Sequence, residues 1–247
     1  MEPIFSQEFT LSPVLADCFG RAKPSSLLYF VQEAAGGHCE LLGLDWNTLA
    51  SRGLFWAVIR NRVEVTRLPK LGETIRVETW PMPTTRSAFP RATAAYDREG
   101  RLLFRAISLW VLMDTQKRTM VLPGKSGIEL AGTVRGDELP SPGSTPLDAA
   151  AAVCCTRQVM FTELDRNGHM NNTHYPDWAA DLLPVEFHRE HPIRAFSVCY
   201  LAEARAGDRI RLSSHLSGEG LLHLDGLAEK TDVSGGKGRI FSLQAQF

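Results

Sequence analysis

The chain lacks a long apolar run and a strong net charge. None of its hydrophobic stretches approaches the roughly 20 residues that a membrane-spanning helix needs, and its beginning, MEPIFSQEFT, lacks the basic and apolar segments of a secretion signal. Its 27 Lys and Arg residues nearly balance its 28 Asp and Glu residues, which gives a net charge of −1. We therefore expect a cytoplasmic protein without a membrane span, and we exclude nucleic acid as its partner.

Several signatures of metal and hydrolase chemistry are also missing. The five cysteines form no C-x-x-C pair and leave one over, which argues against a disulfide framework and against a thiolate zinc site. His169 and His174 flank a helix cap and are poorly spaced for two ligands on one helix face. No G-x-S-x-G occurs, so the nucleophile elbow of serine hydrolases is excluded. We predict no metal and no cofactor.

What the chain does have is enough apolar material, 44% of 247 residues, for one large domain or two of ordinary size. Hydrophobic periodicity predicts an α+β protein in which one helix is followed by an antiparallel meander, twice. The Gly36-Gly37 pair inside the first helix costs about 1 kcal/mol per glycine relative to alanine, so we expect a close packing contact there. In chain order, the predicted elements are a strand at 5–10, a helix from Pro24 to just before Gly43, strands at 54–66, 74–81, 87–97 and 102–114, a strand at 155–162, a helix near 173–183, and strands at 194–203, 208–217, 221–230 and 238–246.

The second series of elements resembles the first, which suggests a duplication. Residues 17–25 can be laid over 165–173, and 71–77 over 206–212, with matching Asp and Gly residues. The weakly periodic segment Pro123–Pro146, rich in Gly, Pro, Ser and Thr, indicates a connection between the copies. We predict an N-terminal unit at residues 1–135, a linker at 136–150 and a C-terminal unit at 151–247.

The stretch from Val159 to Trp178, VMFTELDRNGHMNNTHYPDW, carries the candidate chemistry. Val159, Met160 and Phe161 suit a strand, and Asp165 to Gly168 form a turn signal. Three polar residues, Asn171, Asn172 and Thr173, could then cap a helix. A helix N-terminus has free N–H groups and a partial positive charge, which suits it to polarising a carbonyl.

This turn resembles the D-x-N-G-H-x-N-N-x-x-Y-x-x-W signature of acyl-acyl-carrier-protein (acyl-ACP) thioesterases; a shorter form of the motif recurs in other hot-dog thioesterases. The matching residues are Asp165, Asn167, Gly168, His169, Asn171, Asn172, Tyr175 and Trp178. The resemblance extends to Gln32–Gly36, Trp56-x-x-x-Arg60, Thr79-Trp80-Pro81, Ser108-x-Trp110, Asp114 and Tyr200–Glu203. It implies a double hot-dog fold, two units that each wrap a curved antiparallel sheet around a central helix.

The resemblance also implies the catalytic residues, which are Asp165, Asn167, His169 and Glu203. Plant members have a cysteine directly after the glutamate, where this chain has Ala204, so a thiolate nucleophile is excluded there. Glu203 and His169 are the candidate bases for an attacking water, with Asn167 holding water or thioester. Asp165 either orients His169 or Asn167, or attacks directly and forms a transient anhydride; the residues leave both routes open.

The first copy lacks this polar set. The overlay places Phe19 at the position of Asn167, Arg21 at that of His169 and Leu68 at that of Glu203. We therefore expect one working site and one degenerate site, with the interior of the first unit free to house an acyl chain. The residues expected to contact substrate are Asn171, Asn172, Trp178, Ala34 and Ala35.

The predicted activity is hydrolysis of fatty acyl thioesters, with acyl carrier protein as the partner and a homodimer as a possible assembly. Two alternatives stay open. Acyl-CoA could replace the carrier protein, or the chain could be a hot-dog module that binds acyl chains without turnover. The combination of Asp165, Asn167, His169 and Glu203 favours an enzyme, because a pure binder has no use for it.

Overall fold

The computed structural model describes residues 3–229 and 238–247. The chain forms two compact units, Met1–Pro142 and Gly143–Phe247. Each unit has the predicted α+β composition, helix and antiparallel sheet.

Over residues 3–142, the first unit contains a long α-helix, two short α-helices and six strands. Most predicted elements are confirmed, but the short helix α2, which Asp45 caps by accepting hydrogen bonds from Asn47 N and Thr48 N, was not predicted. The elements are β1 (Phe5–Thr10), α1 (Pro24–Leu41), α2 (Trp46–Ser51), β2 (Leu54–Val65), β3 (Thr74–Pro81), β4 (Phe89–Tyr96), β5 (Leu102–Asp114), β6 (Met120–Val121) and α3 (Pro123–Ser126).

Helix α1 begins at Pro24, whose missing N–H costs nothing in a first turn. It ends before Gly43, which has a φ of +65° that a glycine adopts without strain. The expected close contact lies at Gly37, where a Cβ would be 2.8 Å from Phe5 Cζ on β1. Five residues spaced along one face are buried in the unit: Leu27, Leu28, Val31, Ala34 and His38.

The sheet of the first unit has the strand order β1-β3-β4-β5-β2, and β6 pairs with β5. All of these pairs are antiparallel. Seven of the eight residues of β4 are buried, so this strand is enclosed on both faces. Helix α1 packs on β3 and β1, which makes the helix and the inner face of the sheet one core.

The second unit repeats this plan. Its sheet order, β7-β9-β10-β11-β8, matches that of the first unit strand for strand. Its elements are β7 (Ala152–Gln158), α4 (His174–Ala180), α5 (Val185–Glu190), β8 (Ala195–Tyr200), β9 (Arg209–Leu216), β10 (Leu221–Ala228) and β11 (Arg239–Gln246).

The registers match at corresponding places, although the β7–β9 pair has a bulge between Val153 and Cys155 that the β1–β3 pair lacks. Thr10 pairs with Thr74 in the first unit, and Gln158 with Arg209 at the corresponding place in the second. The duplication inferred from short sequence matches therefore extends through the sheet.

Two predicted boundaries around the signature turn were wrong: the end of the strand before it and the end of the helix after it. Strand β7 ends at Gln158, and Phe161–Glu163 forms a 3-10 turn instead of a strand end. Val159 is buried, but Met160 and Phe161 are 57% and 82% exposed. The Glu163 carboxylate accepts a hydrogen bond from Met160 N at 2.8 Å and so favours the turn over a further β pairing.

The helix expected near 173–183 ends at Ala180, and a separate helix follows from Val185. Pro184 accounts for the break, because it cannot donate a helical hydrogen bond and disfavours helical backbone in the residue before it. The strand expected at 221–230 ends at Ala228, and residue 230 lies outside the described residues.

Candidate functional site

The signature turn is shaped by the carboxylate of Asp165. Its Oδ1 accepts hydrogen bonds from Asn167 N at 2.8 Å and from His169 N at 3.1 Å. Two backbone bonds close the same loop, Asp165 N to His169 O at 2.7 Å and Gly168 N to Asp165 O at 3.0 Å. Gly168 has a φ of +76°, in the left-handed region that favours glycine. Asp165 therefore holds the backbone of His169 in place.

The loop brings the imidazole of His169 to the carboxylate of Glu203. His169 Nε2 lies 3.1 Å from Glu203 Oε2, and Arg205 Nη2 lies 3.7 Å from the same oxygen. The His169 side chain is 12% exposed and that of Glu203 41%, so the imidazole is largely enclosed while the carboxylate reaches solvent. A bridge between the backbones of His169 and Arg205 fixes this approach. Arg205 was not among the sequence-predicted residues, and its position two residues after Glu203 was the only available signal.

The first unit contains the same loop with different side chains. Asp17 Oδ1 accepts hydrogen bonds from Phe19 N at 2.9 Å and Arg21 N at 2.8 Å, and Gly20 has a φ of +72°. Arg21 forms a backbone bridge to Lys70. Lys70 is thus the counterpart of Arg205. Leu68, two residues before Lys70, is the counterpart of Glu203, which lies two residues before Arg205.

The Arg21 side chain is occupied within its own loop. Its Nε donates to Asp17 Oδ2 at 3.1 Å, and its guanidinium lies 4.7 Å from the centroid of the Phe19 ring. The first loop thus keeps the backbone geometry of the second while an internal ion pair replaces the imidazole–carboxylate pair.

Asn171 stabilises the start of α4. Its Oδ1 accepts hydrogen bonds from both N and Oγ1 of Thr173 at 3.0 Å. The backbone N–H groups of Asn171 and His174 donate to Glu163 O and Asn171 O. These N–H groups are therefore bonded within the loop, contrary to the expectation that they are available to a carbonyl.

Asn167, by contrast, is exposed in the turn. Its side-chain amide carries two N–H donors. The carbonyl of Asn172 accepts a hydrogen bond from the Tyr200 hydroxyl at 3.0 Å, which ties the loop to β8.

Two signature residues belong to the core beneath the loop. Trp178 is 2% exposed, and its indole N–H donates to Glu163 Oε1 at 2.8 Å. Tyr175 is 3% exposed and packs 4.5 Å from the Phe241 ring. Burial, and then the nearby carboxylates of Asp165 and Glu163, raise the pKa of the Tyr175 phenol, so it stays neutral. Trp178, which was expected to contact substrate, lies in this core and is bonded to Glu163 of the turn before the loop.

The first unit encloses a cavity of about 320 Å³. Ala35 and Gly36 line it, and a Cβ on Gly36 would meet open space. Ala34 is fully buried and does not line this cavity. The remaining wall includes Leu44, Leu49, Trp56, Phe89, Trp110 and, less expectedly, Arg91.

Neither the cysteines nor the described histidines and carboxylates form a further site. All five cysteines are free thiols. Within residues 3–229 and 238–247, no group of three or more His, Cys, Asp and Glu side chains is arranged to hold a metal ion. Over the same residues, no helix is both long and apolar enough to span a bilayer.

A helix packed on an antiparallel sheet, present twice with the same strand order, defines the double hot-dog class, and one copy carries an imidazole–carboxylate pair. Family comparison makes the assignment specific. The acyl-ACP thioesterase N-terminal domain model matches residues 2–122, and the C-terminal domain model matches residues 150–237. The chain belongs to the acyl-ACP thioesterase family.

Two curated relatives are plant chloroplast proteins. A palmitoyl-acyl carrier protein thioesterase of Gossypium hirsutum is 27% identical over 217 residues, which cover 81% of this chain and 52% of the relative. A dodecanoyl-[acyl-carrier-protein] hydrolase of Cinnamomum camphora is 27% identical over 227 residues, 83% of this chain and 59% of the relative. The chain therefore spans little more than half the length of these proteins.

Solved structures share the fold over almost the whole chain. An acyl-ACP thioesterase from Bacteroides thetaiotaomicron has a TM-score of 0.83 at 24% identity, covering 99% of this chain and 98% of the other. The 12:0-ACP thioesterase from Umbellularia californica has a TM-score of 0.80 at 22% identity, covering 100% and 97%. The double hot-dog architecture is confirmed by both.

Proposed function

We propose that the chain hydrolyses fatty acyl thioesters carried by acyl carrier protein to the free fatty acid and the carrier thiol. The observation that carries the proposal is the 3.1 Å contact between His169 Nε2 and Glu203 Oε2 in the second unit. The names of the curated relatives, which are ACP thioesterases and hydrolases, support the carrier.

Thioester hydrolysis needs a base for water and a donor for the carbonyl oxygen, whereas the thiolate leaves with little acid assistance. Glu203 and His169 together supply the base. The carboxylate of Glu203 reaches solvent and can accept a proton from the attacking water, and the imidazole of His169 lies in contact with that carboxylate. The exposed amide of Asn167 supplies a donor in place of the helix N–H groups that the loop itself engages. Substrate contacts by Asn171 and Asn172 stay predictions, and so does a contact by Trp178.

The contacts of Asp165 favour water over an anhydride. Its Oδ1 accepts two backbone hydrogen bonds. A carboxylate held this way is less nucleophilic, and its movement onto a carbonyl would release both N–H groups. We therefore assign Asp165 a positioning role.

We further propose that the first unit takes the acyl chain in its cavity, against Ala35 and Gly36 of α1. The unit boundaries 1–135 and 151–247 with a linker at 136–150, a homodimer and a cytoplasmic location also stay predictions. Five free thiols agree with a reducing compartment.

The test is release of thiol from acyl-ACP and acyl-CoA of matched chain length, measured side by side with the purified chain. Faster release from acyl-ACP supports the proposal. Faster release from acyl-CoA would assign the other carrier, and tight binding of acyl-ACP without thiol release would indicate the binding module.

A further inference from the structure

The cavity of the first unit contains a buried positive charge that has no negative partner among the described residues. Arg91, on β4, lines the cavity and is 5% exposed. Its Nη1 lies 3.1 Å from His38 Nδ1 and 3.4 Å from Thr79 Oγ1. A guanidinium has no acceptor atom, so Nδ1 of His38 must accept, and the imidazole is neutral in this contact. Both partners of Arg91 are therefore uncharged.

Carboxylates are present around the cavity, but they do not neutralise this charge. Glu33 and Glu40 line it at its exposed rim. Asp45 also lines it, with its carboxylate engaged by Thr48 and the α2 backbone. Among the described residues, none of the three forms an ion pair with Arg91. Burial lowers the pKa of the Arg91 guanidinium, which expresses the cost of an enclosed charge.

The donors of Arg91 are also mostly unused. Within the described residues only Nη1 donates to a protein acceptor, although a guanidinium has five N–H groups. The indole N–H of Trp110, which lines the same cavity, is buried without a hydrogen-bond partner in the described part of the chain. Trp56 differs, because its indole N–H donates to Leu44 O at 3.2 Å. The cavity therefore has donors in excess and suits a ligand that only accepts.

The fold itself does not need an arginine here. Arg91 pairs with Pro81 in the β3–β4 register, and the corresponding pair in the second unit is Leu222 with Leu216. Leu222 is 2% exposed and packs as an ordinary core residue. The same strand position is thus filled by leucine in one copy and by an arginine at a cavity in the other.

We propose that this cavity binds the carboxylate of a free aliphatic acid, with Arg91 as its ion-pair partner and the apolar wall of Leu49, Trp56 and Phe89 against the alkyl chain. A carboxylate is acceptor-only and matches the fork of a guanidinium. The proposal goes beyond the proposed function, because binding requires neither a thioester nor turnover.

The test uses the cavity's own tryptophans. Trp46, Trp56 and Trp110 line it, so a ligand that enters changes the intrinsic fluorescence of the full chain. Octanoate, octanol and octylamine are titrated in parallel, with calorimetry as the second readout. We expect octanoate to bind roughly ten- to hundredfold more tightly than octanol, the ratio given by a charge-assisted hydrogen bond, and octylamine to bind least.

Arg91→Leu, which installs the residue of the second unit, should remove the preference for octanoate over octanol, and Arg91→Lys should retain part of it. Arg98→Gln removes an exposed charge of the same unit and should leave the affinities for octanoate and octanol unchanged. Equal affinities of octanoate and octanol for the unmodified chain would overturn the proposal. So would an undiminished preference in folded Arg91→Leu. If that variant does not fold, the comparison of ligands on the unmodified chain decides alone.

Discussion

His169 and Glu203 form an imidazole–carboxylate contact of 3.1 Å that the second unit has and the first unit lacks. The corresponding positions of the first unit hold Arg21 and Leu68, although the loop around them has the same hydrogen bonds. The two units therefore share the backbone of this loop and differ in the side chains that it carries. The loop of the first unit therefore provides matched control positions for variants of the second.

Changes in the first loop should leave catalysis intact. Arg21→Ala removes a partly exposed ion pair with Asp17, a contact worth up to about 1 kcal/mol of stability, and Cys18→Ala alters an exposed thiol. Turnover of acyl-ACP by each variant should stay within a few-fold of the unmodified chain. Loss of turnover by a variant that is still folded, as judged by circular dichroism, would contradict the assignment of a single site.

Asp165 should act through its hydrogen-bond acceptor and not as a nucleophile. Asp165→Ala frees two backbone N–H groups, so we expect a large loss of kcat, whereas Asp165→Asn keeps an acceptor oxygen and should retain measurable turnover. The matched change Asp17→Ala disturbs the equivalent loop and should lower only thermal stability. Complete inactivity of folded Asp165→Asn, with Asp165→Ala no worse, would instead support direct attack by the carboxylate.

Acyl chain length should respond to the cavity wall on α1. Each buried methylene contributes about 0.8 kcal/mol, so Ala35→Phe should shift the preferred acyl length downward and spare the shortest thioesters. Ala34→Phe should mainly destabilise the fold, since Ala34 does not line the cavity. Leu41→Phe, on the exposed side of the same helix, is the neutral control. A chain-length profile unchanged in Ala35→Phe would move the acyl site elsewhere, most simply to the second unit beside Trp178 on α4.

Stability of the first unit should depend on pH through Glu73. Hydrogen bonds from Arg67, then from Lys70 N, lower the pKa of Glu73. Because this pKa is lower in the folded than in the unfolded chain, the stabilisation is present above the unfolded pKa and is lost as pH falls through the folded one. Glu73→Gln should therefore lower Tm at neutral pH and converge with the unmodified chain in acid. Glu99→Gln, at an exposed position, is the control. A Tm of Glu73→Gln that lies below that of the unmodified chain by the same amount at all pH values would contradict this.

Periodicity was sufficient for much of the fold. Strands β3 and β5 were predicted with their observed ends, because Pro, Gly and Asp residues mark where their alternation stops. Helix α1 was predicted from its apolar spacing. The end of β7 was not, since Met160 and Phe161 are apolar but exposed, and the side chain of Glu163 decides the turn.

The site could be predicted only in part. The resemblance supplied His169 and Glu203, and the overlay of the two copies supplied Leu68 and Arg21. Their contact depends on the bridge between His169 and Arg205, which no local pattern encodes. Arg91 was missed. The signal that could have found it is a single arginine in the strand FPRATAAY, whose other side chains are mostly apolar or small.

The central claim is that the His169–Glu203 pair performs the hydrolysis. It is tested most directly by the rate of fatty acid release from acyl-ACP by purified Glu203→Gln and His169→Ala, beside Arg21→Ala and the unmodified chain. Each site variant should fold normally and lose roughly a hundredfold or more in kcat, the usual scale for an acid–base group, while Arg21→Ala remains active. Near-normal release by both Glu203→Gln and His169→Ala would contradict the account.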